Sequence, residues 1–297
     1  MSIPVGASLF PSQTGEPNPQ PGGSAMEPQE PPVADWVNPF DMEDDPYPTY
    51  QRLREESPVA WVPAFNALVV SSHAECTLAE RHPEIYSARG ATLPFTGAIG
   101  GPPMLAEDDP QHAATRAPMN PVMRPRSIDS WTEVFERNAH TYADRMHDIG
   151  PDHADLNRDY AAPLAAKNLV DLLGMDGVSA EDMHRWSYYF IAAMFNLARD
   201  ADIFAQAALA RDEVDAVLRD LIPHLQRHPN QTIVSAFANS GLSVERMHLN
   251  IKLAISGGMN EPQHMISTLV WALSTYPEQR AAVLNNPALW PAVSSPG

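Results

Sequence analysis

The sequence predicts a mainly α-helical fold with one small β-sheet. Two observations carry this. Apolar residues recur at spacings of three and four over most of residues 109–285, whereas only residues 59–62 and 67–70 read as strands, around a PAFN turn. With 44% hydrophobic residues in 297, the chain also has enough apolar material for a sizeable core.

Residues 1–34 hold eight of the thirty prolines, four glycines and no Lys or Arg. That composition predicts a disordered leader ahead of one domain over residues 35–297. Pro46 and Pro48 open a short helix that runs to about Glu56, and a helix over 73–81 follows the strands until His82-Pro83 stops it. Residues 87–108, rich in Gly and Pro, read as a long loop. Asp109-Pro110 is a helix start, and the helix it opens carries His112 and Arg116 on one face until Pro118 shortens or kinks it. Ser130 and Glu133 have capping-box spacing at the head of a helix in which Phe135, Ala139, Tyr142 and Met146 recur. Pro163 enters and Gly174 closes the next helix. Ser179 with Asp182 caps another, whose Trp186, Tyr188, Tyr189 and Phe190 read as core. Further helices are expected at about 205–228, 243–275 and 278–286.

The 243–275 pattern is interrupted by AISGGMNEPQHM, residues 254–265, although apolar spacing resumes after it. An interior Gly costs roughly 1 kcal/mol against Ala and an interior Pro about 3, since Pro loses a bond and clashes with the carbonyl four residues back, here that of Gly258. Two conformations satisfy this: one helix kinked open beside a glycine surface, or a helix ending near Ser256 and another starting at Pro262.

Net charge is 19 minus 37, or −18, and Lys167 and Lys252 are the only lysines. Binding to nucleic acid or to an anionic membrane is disfavoured. No apolar run approaches the roughly 20 residues a membrane helix needs, and the N-terminus reads as no signal peptide. The single cysteine, Cys76, excludes an internal disulfide and fits a reducing compartment, so a cytoplasmic protein is expected.

Several segments in order resemble the cytochrome P450 family of haem-thiolate monooxygenases. DPYPTYQRLREESPV is similar to the family's first helix and its lead into the small sheet, and HAECTLAERHPEIYSAR to the second helix. DDPQHAATR is similar to the helix whose His and Arg hold the haem propionates, PLAAKNLVDLLGM to a core helix, AISGGMNEP to the long central helix and TYPEQRAAVLNNPALWPAV to the helix after it. The resemblance spans about residues 35–293. It implies haem b as cofactor, His112 and Arg116 as propionate contacts, and Gly257 and Gly258 as the surface on which the porphyrin lies close. It further implies a small organic substrate with O2, and an external electron donor, a ferredoxin or a flavin and iron-sulfur reductase.

The central helix departs from the family pattern, with Asn260 at the usual acid position and Glu261 at the usual Thr position. Oxygen activation needs timed proton delivery, which makes Glu261 the candidate relay beside Asn260. Similar Gly-Gly-x-Asn-Glu-Pro helices resemble the subgroup fused to a reductase. The 93–106 segment resembles the stretch over the substrate pocket, with Leu93, Phe95 and Ile99 as wall residues. The family's E-x-x-R helix and cysteine loop have no counterpart, because the sequence reads SSPG after Val293. The expectation is therefore an incomplete cytochrome P450 fold lacking its C-terminal cysteine-ligand part, with no metal ligand of its own, inactive alone and exposing apolar faces.

Two rival readings stand beside this. E-x-x-H occurs at Glu181 with His184, Glu245 with His248 and Glu261 with His264, a pattern of di-iron carboxylate bundles. The chain could also be a non-catalytic binding or regulatory remnant of the fold.

Overall fold

The computed structural model describes residues 30–89, 94–196 and 199–293. The chain divides into two compact units, residues 1–85 and 86–297.

In the first unit, helices α1 (Asp41–Asp44), α2 (Tyr47–Glu56) and α3 (His73–Arg81) accompany strands β1 (Val59–Val62) and β2 (Ala67–Val70). The strands pair antiparallel with Val59 opposite Val70 and Val62 opposite Ala67. Alternation sends Ala60 and Val62 inward, where they meet Leu53, Val37 and Ala34. Ser72 caps α3 by accepting from the Glu75 N–H.

The leader expected over residues 1–34 lies outside the described residues up to residue 29, but its last residues belong to this unit. Ala34 N–H donates to the Trp61 carbonyl and Trp61 N–H to the Pro32 carbonyl, both at 2.8 Å, and Ala34 is buried. The domain therefore starts by Pro32. Backbone groups on the outer edge of β1 need partners, and a proline-held extended segment provides them.

The second unit is helical. In order it comprises α4 (Pro94–Ile99), α5 (Gln111–Arg116), α6 (Pro125–Asp129), α7 (Thr132–Ile149), α8 (Ala162–Leu173), α9 (Ala180–Met194) and α10 (Ala201–Arg227). Then follow α11 (Ile233–Ala238), α12 (Val244–Gly257), α13 (Asn260–Thr275), α14 (Pro277–Asn285) and α15 (Trp290–Val293). The 87–108 segment is thus not one loop. It contains α4 and a 3-10 turn at Met104–Ala106, because burying Ala98, Ile99 and Met104 offsets the cost of ordering it.

The core lies where α8, α9, α10 and α12 meet, with Phe190, Leu173, Met183, Leu218 and Ile251 fully buried. The carboxylate of Glu213 on α10 receives the Trp186 indole N–H at 2.5 Å and the Arg185 guanidinium at 2.6 Å, which fixes α9 to α10. Trp186 and Phe190 are core as expected, but Tyr188 is 56% exposed. At 3.6 residues per turn it lies about 200° round the helix from Trp186, so it cannot share that face.

The expected capping box at Ser130 and Glu133 does not form. Ser130 Oγ instead donates to the Ser127 carbonyl at 2.6 Å, closing α6, and α7 begins without a side-chain cap. Among the described residues no helix is long and apolar enough to cross a membrane.

Gly174 ends α8 at φ +77°, its N–H shared between the Val170 and Asp171 carbonyls. A Cβ there would fall 2.5 Å from Thr232 Oγ1. Gly174→Ala combines left-handed strain with that overlap, so the expected loss is about 2 kcal/mol, read from the urea unfolding midpoint.

Candidate functional site

The interrupted helix resolves into two. Ser243 caps α12 by accepting from Arg246 N–H at 3.3 Å; α12 ends at Gly257, and α13 starts at Asn260. Pro262 is the third residue of α13, where a missing N–H costs little because first-turn donors have no helical partner. The break is thus the two residues Gly258 and Met259.

The two glycines do different work. A Cβ on Gly258 would lie 2.7 Å from the Ala254 carbonyl oxygen and 2.8 Å from Leu169 Cδ1, so this glycine lets the break press on α8. That corrects its reading as part of an open surface. Gly257 is exposed, and its Cβ position meets nothing within 4 Å. It alone offers the close, open approach expected of the pair. Next to it, Asn260 is half-buried and Glu261 is exposed in the first turn of α13, an end that favours a carboxylate. Glu261 makes no ion pair among the described residues. Gln263, buried on the opposite side, donates to Asn157 Oδ1 at 3.0 Å while its own Oε1 has no protein partner.

His112 and Arg116 sit one turn apart on α5, which stops at Arg116 because Pro118 cannot continue it. The His112 ring is 42% exposed with Nδ1 3.5 Å from Asp109 Oδ1. Arg116 is exposed, and among the described residues its guanidinium makes no ion pair.

Sequence reasoning missed what holds this short helix in place. Thr115, fully buried, donates from Oγ1 to Glu107 Oε2 at 2.8 Å. Arg246 on α12 donates to both Glu107 Oε1 and Thr115 Oγ1. One turn on, Asn250 Oδ1 accepts the Met104 backbone N–H at 2.9 Å in a buried bond. The segment 104–116 is therefore tied to α12 at two successive turns. Polar residues one turn apart inside an apolar helix pattern, Arg246 and Asn250, were the available signal.

Leu93 and the Phe95 side chain lie outside the described residues. Ile99 is fully buried in the main core, where α4 packs on α9 and α10, which corrects its reading as an open pocket wall.

A second polar cluster joins α10 to α12. Asp215 Oδ1 is 2.8 Å from both His248 Nδ1 and Lys252 Nζ, and the Lys252 side chain is only 4% exposed. Burial pushes the Asp215 carboxyl up, but the bonds from His248 and Lys252 outweigh it and hold the group below its ordinary value. Burial pulls Lys252 down against the pull of Asp215.

The three E-x-x-H pairs do not converge. Glu181, Glu245, Glu261 and His264 are exposed, His248 is engaged by Asp215, and no group of three or more His, Cys, Asp or Glu that could hold a metal occurs among the described residues. The di-iron reading is set aside. On α13 to α15, an apolar face stays open: Trp271 is 64%, Tyr276 53% and Leu284 68% exposed.

Comparison with known proteins agrees with this architecture. No family model matches. The β-dihydromenaquinone-9 ω-hydroxylase of Mycobacterium tuberculosis is 26% identical over 276 residues, 86% of this chain and 53% of that protein. Cytochrome P450 105A3 of Streptomyces carbophilus is 28% identical over 258 residues, 82% of this chain and 61% of that protein. Among solved structures, P450BioI in complex with an acyl carrier protein superposes with a TM-score of 0.72 at 19% identity, covering 86% of this chain and 69% of that one. CYP108D1 of Novosphingobium aromaticivorans gives 0.72 at 19%, covering 89% and 70%. The fold is that of the cytochrome P450 structures. In sequence the chain is similar to these cytochrome P450 proteins, and it spans about half the length of the first curated relatives it matches.

Two predictions follow from these contacts. Arg246→Met leaves the Glu107 carboxylate, 16% exposed, without its cation; the expected cost is about 3 kcal/mol, with amide exchange of residues 104–116 accelerating more than that of α9. For Asp215, whose folded value is depressed, stability is present above about pH 4 and lost as pH falls through the folded value, because the unfolded chain takes up the proton first. Asp215→Asn should therefore flatten the stability profile below about pH 4 in urea titrations.

Proposed function

We propose that these residues form the part of a haem-dependent monooxygenase that grips the porphyrin edge and faces molecular oxygen. The observation that carries the reading is the break at Gly258 and Met259, with Gly257 open beside it, in a chain of cytochrome P450 fold. The donor set supports it: an imidazole and an unpaired guanidinium one helical turn apart suit two carboxylates at a ring edge. When bound, haem b supplies the redox chemistry that inserts one atom of O2 into an organic substrate. His112 and Arg116 would hold the propionates through charge-assisted bonds, and Gly257 would let the helix end lie close to the ring. Glu261, accessible and unpaired, would hold and pass a proton, with the Asn260 side chain ordering the water that carries it. Cys76, on α3 of the first unit with Sγ 3.5 Å from the Val70 carbonyl, is not assigned as a ligand of the haem iron.

The substrate class is a small, largely apolar organic molecule, in keeping with relatives named as ω-hydroxylases of a menaquinone and of methyl-branched lipids. Electrons would come from a ferredoxin or from a flavin and iron-sulfur reductase, the second favoured by the Gly-Gly-x-Asn-Glu-Pro segment. A single cysteine supports a cytoplasmic location.

Hemin titrated into the chain, followed by quenching of tryptophan fluorescence, tests the reading. One saturable site is expected, weakened about tenfold or more by Arg116→Gln through loss of a charged bond, and unaffected by Arg126→Gln on α6. Absence of saturable binding, or equal binding by both variants, would overturn it.

A further inference from the structure

The C-terminal end of α10 reads HLQRH over residues 224–228, and side chains four apart on a helix lie one above the other. The two imidazoles stand together there: the ring centres of His224 and His228 are 5.0 Å apart, with their planes tilted by 42°. Two imidazoles bound to one metal ion, each through a nitrogen about 2.1 Å away, have ring centres about 4.5–5.2 Å apart for bond angles between square and tetrahedral. The pair therefore already has the separation of a chelate.

Its ligand atoms are free. Both residues are exposed, and no ring nitrogen of either makes a hydrogen bond or ion pair among the described residues. His82 and His248, by contrast, each engage a carboxylate. The turn that displays the pair is also fixed. His228 N–H donates to the His224 carbonyl at 2.9 Å, and Leu225 between them is buried. From the far side of the turn, Gln226 Nε2 donates to the Ala238 carbonyl at 3.1 Å and Asn239 Nδ2 to the Leu225 carbonyl at 3.2 Å. Two rings held on one rigid turn lose little further freedom when an ion joins them.

The surrounding charge favours a cation. His224 borders a pocket that Asp176 and Asp220 also line, and neither carboxylate makes an ion pair among the described residues. The helix C-terminus adds partial negative charge. Arg227, the neighbouring cation in sequence, has Nε donating to the Pro223 carbonyl at 3.1 Å, on a helix face about 100° round from the two rings. Imidazole nitrogen selects Cu²⁺, Ni²⁺ and Zn²⁺, whereas Ca²⁺ and Mg²⁺ take oxygen. No third His, Cys, Asp or Glu completes a group of three among the described residues, so water fills the remaining positions and Cu²⁺ binds tightest of the three.

We propose that His224 and His228 form a two-imidazole chelate for a divalent transition-metal ion, Cu²⁺ above all. The site uses none of the residues assigned to haem, so its test is independent of the monooxygenase reading.

Copper(II) chloride is titrated into the 297-residue chain, carrying no polyhistidine tag, and binding is followed by electron paramagnetic resonance and by the melting temperature. The expected result is one tight, saturable site whose spectrum shows splitting by two nitrogens. Its occupancy should raise the melting temperature, because the two rings are aligned only in the folded helix. His224→Asn and His228→Asn should each weaken binding about tenfold or more, since one imidazole then holds the ion alone, while His140→Asn on α7 should leave it unchanged. Both histidines of the pair are exposed, so these variants should keep the fold, as circular dichroism will show. The proposal is overturned if no saturable site is found, if the bound ion is split by one nitrogen only, or if either folded variant of the pair binds copper as the unaltered chain does.

Discussion

Arg246 and Asn250, one turn apart on α12, hold the segment that carries the candidate haem contacts. A six-residue helix is too short to be stable alone, and α5 ends at Pro118 before it can lengthen. Its position comes instead from buried bonds: Arg246 to Glu107 and Thr115, and Asn250 to the Met104 backbone. If these were lost, His112 and Arg116 would still be one turn apart but no longer fixed against α12.

The same α12 organises the rest of the second unit. Ile251 and Ile255 bury it in the core, His248 and Lys252 tie it to α10, and Gly258 at its end seats on Leu169 of α8. A helix held from this many sides has little freedom to bend, so a two-residue break relieves its glycine and proline content. That break is also where the chain leaves Gly257 uncovered. Packing and exposure thus meet at adjacent residues, one glycine pressed against a neighbour and the next left open.

Beyond the break the balance changes. Of the sixteen residues of α13, only Gln263 is buried, and Trp271, Tyr276 and Leu284 extend an apolar face into solvent. The sequence spacing of Ile266, Leu269, Val270 and Leu273 implies a covered helix face, and the relatives, of which this chain spans about half, are longer. An apolar face of this kind suits a packing partner better than it suits water.

By itself the sequence determined the helices with strong period and clear ends, such as the one between Pro163 and Gly174, the two strands around PAFN, and a resemblance to the cytochrome P450 family through segments in consistent order. These are local properties, written in neighbouring residues, and the His112 and Arg116 pair belongs with them because i and i+4 share a helix face. Tertiary structure decided what depends on distant partners. It divided the Gly257 and Gly258 pair, since only the arrival of Leu169 makes one of them tight. It sent Ile99 to the core, drew residues 32–34 onto β1, and turned Ser130 away from its expected cap. It also gathered Arg211, Asp215, His248 and Lys252 into one pocket. No spacing rule places side chains more than thirty residues apart along the chain at 2.8 Å, as in Asp215 with His248; packing of α10 on α12 does.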